Sequence, residues 1–145
     1  MRGLPDLRDH VRDEPAPRTA TIVLRGGPNT AAKVRLHAER LRRAYCLDGG
    51  EMAGISVFCA LDDVGPASFE AILAQKLGSY RVIRRVTAGE LIDAAFELLP
   101  TFQRPHFTLL LPDLDRVEEL LDLLGPERPN PRYGQRQRPP RRRPR

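Results

Sequence analysis

Short apolar runs rich in β-branched residues alternate with longer stretches of helical spacing from Thr19 to about Gly125. The first run, "TATIVL", stops at Gly26-Gly27-Pro28, which predicts a strand followed by a turn. Asn29 or Thr30 then caps a helix reaching about Leu47. Val34, His37, Ala38, Leu41 and Tyr45 lie along one side of it, and Lys33, Arg35, Arg40, Arg42 and Arg43 take up much of the rest. "GISVFCAL" (54–61) predicts a second, interior strand. "ASFEAILAQKL" predicts a helix closed by Gly78. "YRVIRRV" (80–86) predicts a third strand at or near an edge, because its arginines fall on both faces. Thr87 and Glu90 form a Thr-x-x-Glu capping box for a helix running to Pro100. "HFTLLL" (106–111) predicts a fourth strand. Asp113 caps a last helix with Val117, Leu120, Leu121 and Leu124 in one stripe, closed by Gly125-Pro126.

The order is β-α-β-α-β-α-β-α, about four strands and four helices. Strict alternation predicts a single layered α/β domain over residues 19–127, with a parallel or mixed sheet and right-handed crossovers between parallel neighbours. Residues 1–18 mix both charge signs with prolines and carry no periodicity, so they are expected to be flexible. Residues 128–145 are proline and arginine, and are expected to be a disordered basic tail.

Charge changes this picture once it is divided along the chain. The net +5 resolves into +8 for residues 128–145, zero for 1–18 and −3 for 19–127. The tail would bind any polyanion, with affinity falling steeply as salt rises. Arginine outnumbers lysine, which occurs at positions 33 and 76 alone. That bias is what a GC-rich bacterial genome writes into its proteins, so arginine richness by itself does not identify a nucleic-acid binder. No run of about twenty apolar residues is present, and the N-terminus lacks the apolar segment of a secretory leader. A cytoplasmic protein that does not span a membrane is expected. Cys46 and Cys59 have no metal or redox spacing and are expected to be free thiols.

Two constellations hold candidate chemistry. His106 and Thr108 stand two apart on one strand face, where the imidazole could act as acid/base and the hydroxyl could bind a phosphate oxygen. The spacing is similar to the His-x-Thr motif of the two-histidine phosphoesterases. That family uses two such motifs, and here neither His10 nor His37 has Ser or Thr two residues on. The same pair suits the polar lip of a strand that enters a core. The second constellation is Arg25-Gly26-Gly27, where an arginine leaves a strand into a glycine turn able to hold an anion. Arg25 with Ser56 in "GISVF" also resembles ADP-ribosyltransferase domains. The resemblance implies a site around a nicotinamide dinucleotide, with Glu97 as the available glutamate. No cofactor follows from the residues themselves.

Arg40 and Arg43 on the first helix, with Arg84 and Arg85 on the third strand, could track phosphates. Few aromatic residues interleave them, so stacking on single-stranded bases finds no support. Asp62 and Asp63 lack a third ligand for a metal. The expectation is thus a small α/β domain binding a phosphorylated ligand or RNA, of the kind a toxin-type or mobile-element protein would be. In that reading Arg25 binds phosphate, His106 acts as acid/base, and Thr108 or Ser56 positions the substrate. The alternative is a non-catalytic module that binds a protein partner. Strand direction decides between uses of His106. Arg25 lies at the end of its strand and His106 at the start of its own, so they share a site if the two strands run in opposite directions.

Overall fold

The computed structural model describes residues 3–27 and 30–134. Pro28 and Asn29 of the first turn, and residues 135–145 of the basic tail, lie outside the described residues.

Six strands occur among the described residues: β1 (Ile22–Gly26), β2 (Ala53–Cys59), β3 (Val82–Thr87), β4 (Glu97–Pro100), β5 (His106–Leu111) and β6 (Arg128–Pro129). They form one curled half-barrel sheet in the order β4-β5-β2-β1-β3-β6, and every neighbouring pair is antiparallel. This overturns the expected parallel or mixed sheet of alternating β-α units. Alternating strand and helix signals specify chain order and leave direction open. Here direction is set by a hairpin that the expected elements concealed. The helix α3 (Ala88–Asp93) ends well before Pro100, Ala95 takes a left-handed backbone at φ +67°, and the chain turns directly into β4. β4 and β5 are joined by five residues, too few for a crossover, so they must pair antiparallel.

The remaining helices are α1 (Ala31–Ala44), α2 (Phe69–Ala71, continued as a π-helical turn over Ile72–Lys76) and α4 (Val117–Leu124), the last entered through a 3₁₀ turn at Leu114–Arg116. Local chemistry starts each of them. Thr30 accepts from the Lys33 amide, Ser68 from Ala71, and Asp113 from Asp115, while Thr87 and Glu90 complete their capping box.

The main core lies on one face of the sheet. Val34 and Ala38 of α1, Leu91 of α3, and Val117, Leu120 and Leu124 of α4 pack there against Val23, Val57, Phe107 and Leu109. Phe107, Leu109 and Leu111 share this face, and Leu110 lies on the other with Thr108, as strand alternation requires. On the second face α2 covers Leu24 and Ile83.

Both chain ends pack further than their composition suggested. In the segment expected to be flexible, Leu7 is buried against Leu99 and Leu110. Val11 bridges Thr101 along the outer edge of β4. In the tail expected to be without structure, Arg128–Pro129 pairs with β3 and Asn130 is buried. No helix among the described residues is long and apolar enough to cross a membrane.

Candidate functional site

β1 keeps five registered pairs with β3, and β2 keeps six with β5, whereas β1 and β2 share two, Val23↔Cys59 and Leu24↔Phe58. Past Leu24 the two central strands part, and the sheet opens between its halves. Arg25 fills the gap. Its guanidinium donates from Nη1 to the Ser56 carbonyl at 2.9 Å, taking an acceptor that a continuous ladder would have used. Nη2 lies 2.9 Å from His37 Nδ1. A guanidinium has no acceptor, so Nδ1 receives this bond and the neutral ring carries its proton on Nε2. Burial, and then the charges of Arg25, Arg40 and Lys33, hold His37 below its ordinary pKa, in keeping with a neutral ring.

These groups border a cleft of about 380 Å³, with Arg25, His37, Arg40, Leu41, Ser56 and Tyr80 in its lining. Ser56 is exposed although β2 is a central strand, because the parting leaves its face uncovered. Gly26 and Gly27 serve as a bed for Tyr80: a Cβ at 26 would lie 2.4 Å from the ring, and one at 27, where φ is +95°, 3.2 Å from it.

Arg25 is 7% exposed and its Nε is buried without a hydrogen-bond partner. Burial lowers its pKa, but an arginine remains charged. Every Asp and Glu of the chain lies among the described residues, and none forms an ion pair with it. Among the described residues the site therefore holds a buried cation with no side-chain carboxylate paired to it.

The other candidate residues are placed elsewhere or differently. Arg43 lies 3.9 Å from Glu39, which also pairs with Arg42 at 2.6 Å. Arg84 donates to the Gly125 carbonyl at 2.6 Å and lies 3.8 Å from Glu127, so it ties down the end of α4. Arg85 lies over the Phe69 ring. Of the four arginines outside the turn, Arg40 alone lines the cleft.

His106 and Thr108 do share a face, and the sheet holds them with a third residue. Thr101 Oγ1 is 2.7 Å from Thr108 Oγ1 and 3.1 Å from His106 Nδ1, and Nδ1 also lies 3.2 Å from the Thr101 carbonyl. Burial outweighs this backbone bond and lowers the His106 pKa. β5 runs in the same direction as β1, since both are antiparallel to β2. His106 pairs with Phe58, which pairs with Leu24, so His106 stands two strands from β1 and outside the lining of the Arg25 cleft. Glu97, the glutamate implied by the ADP-ribosyltransferase resemblance, is exposed on β4 and acts on Arg8. Arg25 and Ser56 come together; Glu97 does not join them.

His37 and Tyr80 complete the cleft and carried no motif. His37 had one signal, a polar residue in the otherwise apolar stripe of α1. Both cysteines are free, and burial pushes the Cys59 thiol up to about 12, which leaves it a core residue. Among the described residues no group of three metal-ligating side chains occurs. No family model, curated protein or solved structure shows a significant match to this chain.

Both shifted histidines predict acid sensitivity. Their folded pKa values lie below the unfolded value of about 6.5, so below that pH the unfolded chain binds more protons. Stability is fully present above pH ~6.5 and declines as pH falls toward the folded values. Melting curves between pH 7.5 and 5.5 should show a falling Tm, with a smaller fall in His106→Asn. A flat profile would refute this account of the two rings.

Proposed function

We propose that the protein binds a small phosphorylated molecule in the cleft where β1 and β2 part. One observation carries this reading: Arg25 is buried, charged and, among the described residues, without a side-chain carboxylate partner. An isolated buried charge is costly, and it is sustained where a ligand supplies the opposite charge. Arg40 and Lys33 add positive potential, and the neutral His37 offers an Nε2–H donor. Ser56 contributes a hydroxyl from an uncovered strand, in a cleft whose volume suits a small ligand. The likeness to ADP-ribosyltransferase domains in Arg25 and Ser56 agrees with a phosphorylated ligand. In this reading His106 and Thr108 support the strand beside the cleft.

Calorimetric titration with inorganic pyrophosphate tests it, at physiological ionic strength so that diffuse attraction to the tail is screened beyond roughly 8 Å. Binding should weaken at least tenfold in Arg25→Met and more modestly in Arg40→Ala. Arg25→Met also removes the donor to the Ser56 carbonyl and to His37 Nδ1, so a stability loss of about 1–3 kcal/mol is expected and the titration is run well below the variant's Tm. Equal binding by the wild type and Arg25→Met would sink the proposal.

A further inference from the structure

The positive charge that a polyanion would meet is gathered at one end of the chain. Residues 135–145 carry six arginines and no acid, whereas residues 1–134 sum to −1. Where this segment leaves the folded body decides what it can act on, and the described residues fix that point. The Asn130 amide donates to the Arg81 carbonyl at 2.8 Å, and Arg132 donates to Glu70 at 2.8 Å. The Arg81 guanidinium lies over the Tyr133 ring, 5.3 Å from its centroid. The last described residue, Gly134, donates its amide to the Gly78 carbonyl at 2.7 Å.

Gly78 is two residues from Tyr80, so their Cα atoms are less than about 8 Å apart. The Tyr80 ring lies on Gly26 and Gly27 and lines the Arg25 cleft. The arginine segment thus starts beside a wall of the cleft. Its eleven residues span at most about 40 Å when extended, ample for ligand atoms just outside the mouth. Tethering at this point makes the second contact intramolecular once the first has formed. Arg25 limits which part of a ligand enters, since it is 7% exposed in a cleft of about 380 Å³. A phosphodiester within a strand has a sugar on each side and is held back from such a depth. A terminal phosphate projects alone.

Resting on the anion-binding reading of the Arg25 cleft, we propose that the cleft also takes the phosphorylated end of a nucleic-acid strand. The terminal phosphate meets Arg25 and Arg40, and the phosphates that follow it meet the arginines of residues 135–145. Contacts of this kind read the strand's charge and its end, and carry no base sequence. The segment alone would hold any polyanion and the cleft alone a lone phosphate. One ligand engages both because the two adjoin.

Calorimetry at physiological ionic strength tests this with three probes: a single-stranded RNA decamer carrying a 5′-phosphate, the same decamer with a 5′-hydroxyl, and inorganic pyrophosphate. The phosphorylated decamer should bind the full chain at least tenfold more tightly than the hydroxyl form. Arg25→Met should abolish that preference and leave the hydroxyl form bound as before. A chain ending at Gly134 should lose at least tenfold in affinity for the phosphorylated decamer, with pyrophosphate binding within about twofold of the full chain. Replacing the six arginines of 135–145 with glutamine in the full-length chain should match it, which separates charge from shortening. Both changes should flatten the salt dependence, since each single-strand phosphate neutralised adds about 0.7 to the slope of log K against log salt. Equal binding of the two decamers by the full chain would overturn the proposal, as would a phosphorylated decamer held equally well without the segment. The anion cleft would still stand if Arg25→Met weakened pyrophosphate. Pyrophosphate binding that is absent, or equal in the wild type and Arg25→Met, would overturn both.

Discussion

Removal of residues 1–17 is expected to cost the protein about 4–8 kcal/mol, most of an ordinary domain's stability. Leu7 is 2% exposed against Leu99 and Leu110, and losing such a contact costs about 2–5 kcal/mol. The Arg12 guanidinium donates to the carbonyls of Thr101 and His106, each at 2.7 Å, and pairs with Glu14. Hydrogen bonds from a charged donor contribute about 1.5–3 kcal/mol each. The Arg12 amide also donates to the Pro100 carbonyl at 2.7 Å, so the segment covers the edge of β4. A thermal melt should show a Tm lower by about 15 °C or more, or no cooperative transition at all, together with aggregation through the opened edge. If the truncated chain melted within a few degrees of the full one, the segment would be surface dressing.

At the opposite sheet edge one side chain has a comparable role. The Asn130 amide Nδ2 lies 2.9 Å from the Leu77 carbonyl and 3.1 Å from that of Tyr80, and Oδ1 accepts from the Arg132 amide at 2.9 Å. Asn130 is 6% exposed, and Asn130→Ala takes this donor from the Tyr80 carbonyl while the Leu77 carbonyl keeps the Tyr80 amide, so it should cost about 1–3 kcal/mol. Asn130→Asp should cost more at neutral pH, because a carboxylate would face carbonyl oxygens with nothing to donate. Both variants should also weaken ligand binding, since the Tyr80 backbone they release carries a wall of the cleft. Denaturant titration orders the three proteins. Equal stability of the Ala and Asp variants would mean that this side chain reaches solvent.

The helix starts could be read from the sequence because a cap is local chemistry: Thr30, Thr87 with Glu90, and Asp113 each bond a backbone amide two or three residues on. β4 could not. "AAFELLP" has helical composition, and the break falls at Ala95, whose left-handed backbone no residue type announces. With β4 concealed, the hairpin to β5 disappeared, and with it the one connection short enough to force antiparallel pairing. β6 was hidden differently, since Arg128-Pro129 shares the composition of the tail that follows. Of the cleft, Arg25, the glycine turn and Ser56 stood out on their own chemistry. His37 and Tyr80 gain their role from the parting of β1 and β2, a tertiary event that leaves no mark on either residue's neighbours.

Arginine usage acquires a second meaning from the carbonyls it meets. Arg12 holds Thr101 and His106, Arg25 holds Ser56, Arg84 holds Gly125, and Arg116 holds Ala94 at 2.5 Å. Each joins segments far apart in sequence, in the manner of a rivet driven through two plates. A planar fork with five donors can do this at two acceptors together, whereas a lysine ammonium is a single hydrated point. Cations engaged this way have turned inward, so a tally of basic residues overstates the positive field that an approaching polyanion would meet. Recoding these four positions to lysine would preserve the formal charge and dismantle the fastenings.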